Sequence, residues 1–205
     1  MEPNWAAENL QTIRTLMERS AVYRRALAPI MLLAGSLGLV AGLTGYFIGW
    51  NTTLHFGLLW LVAALLAFAG AFFIVRRQAF KDGEALWSPP TRRVMLAVLP
   101  TWLSASAMSL TIIFTNVING ELVLTLIWIL FYGFGLTAAG FFMPRGIKVF
   151  GGVFVAAATL FACFLPVLLA HFYVNTNILM AFFFGVLHLA YGGYLYVSEK
   201  RKQTA

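Results

Sequence analysis

The stretch ALAPIMLLAGSLGLVAGLTGYFIGW, residues 26–50, decides how the rest of the chain is read. It carries no charged side chain, and its glycines fall at Gly35, Gly38, Gly42, Gly45 and Gly49. Steps of three, four, three and four draw one nearly straight stripe on a helix, the seam that a coiled coil fills with large side chains. Leu37, Leu39, Val40, Leu43, Phe47 and Ile48 take the other faces. In water each glycine would weaken such a helix by about 1 kcal/mol relative to alanine. In a bilayer the same bare stripe lets a neighbouring helix come close. The stripe is therefore expected to be a helix-packing surface at the centre of a membrane bundle.

Five more apolar runs follow, each near the roughly 20 residues that cross a bilayer. The six expected spans are 26–50, 54–75, 94–118, 122–143, 149–172 and 178–197, and no Lys, Arg, Asp or Glu lies inside any of them. The runs lack the polar–apolar alternation of barrel strands. Helices are then the spanning structure that satisfies the backbone. Composition agrees: of 205 residues, 61% are hydrophobic and 10% charged, with mean hydropathy +0.85, against roughly 25% charged residues in a soluble domain. The fold class expected is an all-α, six-transmembrane-helix bundle in one domain, preceded by an N-terminal amphipathic interfacial helix.

Charge sets the orientation. The 14 cationic residues lie before the first span (Arg14, Arg19, Arg24, Arg25), between spans two and three (Arg76, Arg77, Lys81, Arg92, Arg93), between four and five (Arg145, Lys148) and after the sixth (Lys200, Arg201, Lys202). With an inside amino terminus all of them are cytoplasmic, as the positive-inside rule requires. The net charge of +7 is explained by that rule and does not point to nucleic acid. No cleavable leader is expected, because the first run follows some 25 amphiphilic residues and is too long for a signal-peptide core.

Residues 1–25 form a cytoplasmic arm. Trp5, Leu10, Ile13, Leu16 and Met17 recur at helical spacing opposite Glu8, Arg14, Glu18 and Arg19, a pattern suited to a helix in the headgroup layer. Arg14, Glu18 and Arg19 are the candidate contacts to lipid or a partner, with Glu18 spaced to pair with Arg14. The loop from Arg76 to Arg93 carries a turn signal at Asp82–Gly83 and a stiff Ser88–Pro89–Pro90 approach to span three. Residues 198–205 are a basic tail. The partners expected are membrane lipid, including anionic headgroups, and a protein or second copy met through the glycine face or this loop.

An ionisable group inside a span is a functional-site candidate. His188, near the middle of span six, is the clear case. Tyr132, Ser106 and Cys163 lie at similar depth on spans four, three and five, and Tyr191 lies one turn from His188. These five residues make the candidate mid-membrane polar pocket. A satisfied structural histidine, bonded across the bundle, is the competing reading, and Cys163 also reads as buried filler. On span three, Thr101, Ser104, Met108, Thr111 and Thr115 follow one stripe, with Ser106, Ser109 and Asn116 beside it. Such hydroxyls line a path or bond back to their own helix. Catalysis finds no catalytic pair, metal set or phosphate loop. His55, His171 and Glu121 near the outer ends are thin material for a metal site. No cofactor or metal is expected.

The segment Ile13-Arg14-Thr15-Leu16-Met17-Glu18-Arg19-Ser20 resembles a juxtamembrane signature, Ile-Arg-x-x-Met-Glu-Arg-Ser ahead of glycine-rich spans, in uncharacterised bacterial polytopic inner-membrane proteins. The resemblance covers roughly residues 10–45. It implies a bacterial cytoplasmic membrane and no particular activity. The function expected is a non-enzymatic interaction, sensory or scaffold component. The alternative is a small transporter or channel for a neutral or weakly polar solute, with its pocket around His188.

Overall fold

A computed structural model describes residues 3–81, 83, 86–115, 117–171 and 174–204; the side chains of residues 3–8, 10–25, 90, 166–171 and 199–204 lie outside that description. The chain is a bundle of helices: α1 (Pro3–Ile48), α2 (Thr53–Lys81), α3 (Pro89–Thr115), α4 (Gly120–Ala139), α5 (Arg145–His171), and a sixth rod made of α6 (Thr176–Met180), a π-helical segment (Ala181–Val186) and α7 (Leu187–Thr204). Among the described residues six helices are long and apolar enough to cross a membrane, at Ala26–Ile48, Thr53–Lys81, Thr91–Thr115, Gly120–Ala139, Arg145–Leu165 and Thr176–Ser198. No strand occurs among the described residues.

The spans match the apolar runs to within a few residues, and the differences have local causes. α1 stops at Ile48 because Gly49 takes a left-handed φ of 75°. The Gly49 N–H then reaches the Tyr46 carbonyl and the Trp50 N–H the Gly45 carbonyl, the paired bonds of a Schellman cap. Upstream, α1 is one unbroken helix through Arg24 and Arg25. The arm is thus helical from Pro3 on, while the side chains of Arg14, Glu18 and Arg19, the expected contacts to lipid or a partner, fall outside the described residues. α2 runs six residues past Val75 to Lys81. α3 starts on Pro89, whose missing N–H costs nothing at a first helical position, and it continues through Pro100. α4 ends four residues short of Met143, and exposed Phe141 and Phe142 occupy the turn to α5.

Two helices organise the bundle. α1 is flanked by α2 and by the sixth rod; α4 is flanked by α3 and α5 and touches α2 and α6. The core between them is aromatic and aliphatic: Phe56 and Trp60 from α2, Leu124, Ile127 and Ile129 from α4, Phe150 and Phe154 from α5, Met180 and Phe183 from the sixth rod. Sequence neighbours α2 and α3 barely meet, with Phe68 edge-on to Trp102 as one of their contacts.

Candidate functional site

Where α1 meets the sixth rod, backbone lies against backbone. A Cβ on Gly35 would sit 2.7 Å from the Leu189 nitrogen and 3.0 Å from the Gly185 oxygen. On Gly38 it would run into the Phe184 carbonyl, on Gly42 into Ala181, and on Gly45 into the Asn177 side chain. The partner reciprocates: Gly185 faces the Leu39 backbone and Gly192 the Leu32 backbone. Gly49 departs from the expected stripe. Nothing lies within 4 Å of its would-be Cβ, so its role is the left-handed cap, not packing. Gly193 also faces open space.

This seam holds the π-helical segment in place. There the wide turn bonds the Leu187 N–H to the Phe182 carbonyl, five residues back. His188 follows immediately and is 1% exposed. Its Nδ1 lies 3.0 Å from the Phe183 carbonyl oxygen and its Nε2 2.6 Å from the Tyr132 hydroxyl. A carbonyl can only accept, which assigns the proton to Nδ1; Nε2 then accepts from the Tyr132 hydroxyl. Both ring nitrogens of a neutral imidazole are thereby bonded. Rings enclose it: Phe184 stacks on it at 5.8 Å, and Tyr132, Phe150 and Phe154 pack around it at 5.2–5.6 Å. Tyr191, one turn on, stacks on Phe150 at 4.7 Å.

The structure thus brings together His188, Tyr132 and, through Phe150, Tyr191. It does not bring in the other two candidates. Ser106 is exposed on α3, and Cys163 is exposed on α5. Equal depth in the membrane does not imply a shared face, and both residues point out of the bundle. Cys163 is therefore neither pocket lining nor buried filler. The α3 hydroxyl stripe turns outward too. Ser104, Met108, Thr111 and Thr115 are exposed, with the Thr111 and Thr115 hydroxyls donating to the Ala107 and Thr111 carbonyls. Thr101, at the start of the stripe, is half-buried against Gly135 and donates to the Val98 carbonyl, and the flanking Ser109 is inside, donating to the Ala105 carbonyl and accepting from Trp128 Nε1 at 2.8 Å. Asn116 lies outside the described residues.

Asn177 is a site residue that sequence reasoning missed. Expected in an outer turn, it is fully buried. Its Oδ1 accepts from Trp60 Nε1 at 3.2 Å and its Nδ2 donates to the Trp50 carbonyl at 3.1 Å. One amide thus ties α6 to α2 and to the end of α1. Asn175, two residues earlier, caps α6 by accepting from the Ile178 N–H, so the stretch holds both a cap and a knot. A second close seam also went unread: a Cβ on Gly133 would lie 2.8 Å from the Val155 nitrogen, and one on Gly151 2.6 Å from the Thr137 nitrogen. The spacing of seven between Gly133 and Gly140 was the available signal.

For a metal ion the donors are dispersed. Among the described residues no three His, Cys, Asp or Glu side chains gather. His55 Nδ1 is bonded to the Thr52 hydroxyl, and Glu121 accepts a long bond from Thr53; the His171 side chain lies outside the described residues. At mid-membrane, what the arrangement does chemically is satisfy a polar pair in an apolar, ring-lined enclosure. Compared with known protein families, curated proteins and solved structures, the chain matches none.

Proposed function

We propose that this integral membrane protein is a non-enzymatic component of a bacterial cytoplasmic membrane, with an interaction, sensory or scaffold role exercised at its cytoplasmic face. The observation that carries the reading is the closed state of His188: both nitrogens bonded, four rings around it. A transport or proton-relay histidine faces a water-filled cavity or an ion or substrate path, whereas rings close around this one. The chemistry left for partners is then outside the membrane core, where the 14 cations sit. The positive-inside rule supports cytoplasmic placement of both termini and of the loop between α2 and α3. Helix packing through Gly35, Gly38, Gly42 and Gly45 serves this role by holding the rods rigid.

The test removes residues 1–20 and asks what co-purifies. Loss of a specific co-purifying protein, with the bundle still intact, is the expected result. Unchanged co-purification would sink the arm's part in the proposal. A transporter is the second reading, favoured by the π-helical segment beside His188, since such segments recur at functional sites. Solute flux in vesicles that His188→Ala abolishes would move the balance to it.

A further inference from the structure

The face of α2 turned away from the bundle carries a lane and a head. Val62, Leu65, Leu66 and Phe73 are each more than half exposed, and the last three lie three, four and eleven residues after Val62, on one side of the helix. The same side continues into Arg76, Arg77 and Phe80. There a shallow groove of about 500 Å³ is lined by Phe73, Arg76, Arg77, Phe80 and Lys81. The Arg76 guanidinium stands over the Phe80 ring at 5.6 Å, which holds it upright at the end of the span. Among the described residues no carboxylate forms an ion pair with these cations. The buried residues of α2, Phe56, Gly57, Trp60 and Ala79, lie on the other side, so the bundle does not cover this face.

We infer that this face is a binding site for an anionic diacyl phospholipid, one acyl chain lying along Val62–Phe73 and the phosphate held by Arg76, Arg77 and Lys81. Charge complementarity selects an anion, since among the described residues the groove is lined by three cations and no acid. Continuity selects a lipid over free phosphate, since the groove opens onto an apolar lane about three turns long at bilayer depth. Guanidinium forks suit phosphate oxygens. The site stands independently of the interaction role proposed above and needs no assumption about which way the chain is inserted.

Native mass spectrometry of the full chain, purified in mild detergent and equilibrated with equal amounts of phosphatidylglycerol and phosphatidylcholine, tests it. The wild type is expected to retain phosphatidylglycerol in preference. Each neutralised cation should lower that retention about fivefold, the effect of one basic residue near a membrane surface. R76Q/R77Q/K81Q should therefore abolish the preference, and R77Q alone, the milder variant, should show the single step. R92Q/R93Q, two exposed arginines at the start of α3, should leave it unchanged. Wild-type retention in the triple variant, or an equal loss in R92Q/R93Q, overturns the site. Displacement of the lipid by millimolar glycerol phosphate overturns the acyl lane. A co-purifying protein lost from the triple variant, with lipid retention unchanged, would reassign the groove to a protein.

Discussion

The first two spans are joined by a short turn and are both strongly apolar, yet over their most apolar 18 residues 44% of the first is buried in the bundle and only 6% of the second. Hydropathy places both in the membrane and says nothing about which is central. What separates them is side-chain size. α1 presents glycine at four successive contact positions, so the sixth rod meets its backbone. α2 presents Leu65, Leu66 and Phe73 to the outside and is held mainly by Phe56, Gly57 and Trp60 near its N-terminal end. In lipid, where apolar surface gains little by leaving acyl chains, close van der Waals contact decides who packs with whom.

Substitutions can break that contrast in order of expected effect. Gly38→Val forces a branched side chain into the Phe184 carbonyl and should lower unfolding free energy by about 3 kcal/mol or more, read by denaturant unfolding of the purified protein in mixed micelles. A variant as stable as wild type would remove the seam from the account of the fold. Asn177→Ala loses two bonds and leaves a buried Trp60 N–H without its acceptor; about 1–2 kcal/mol is expected in the same assay. Tyr132→Phe deletes the hydroxyl that His188 accepts from and should cost about 0.5–1 kcal/mol. Smallest of all is Leu65→Ala on the free face of α2, within about 0.5 kcal/mol of wild type. A larger loss there would mean that another protein surface covers α2.

Six helices and their order could be read from the apolar runs, because length and missing charge are set by the bilayer itself. The contacts were readable only in part. His188 and Tyr132 share a depth and do meet; Ser106 and Cys163 share it and do not. Depth counts residues along a rod, whereas facing depends on the rod's rotation, which an apolar run all round does not encode. Span three shows the difficulty: its hydroxyls look like an inward polar stripe, yet Thr111 and Thr115 donate to carbonyls one turn back in their own helix and can face lipid. Gly49 continues the glycine spacing of the packing stripe, and only its backbone angle reveals a helix cap. Asn177 stood in an expected turn, and burial could be recognised only once its two partners from distant sequence, Trp50 and Trp60, were in place.

The seam between α1 and the sixth rod joins two spans that are separated in the chain by all of α2 to α5. Until Thr176–Ser198 leaves the ribosome, the groove along Gly35, Gly38, Gly42 and Gly45 has no mate and must be filled by lipid. Closure of this seam thus waits for the sixth rod, and a chain interrupted before it would sit in the bilayer with an open notch, ready for capture by quality control.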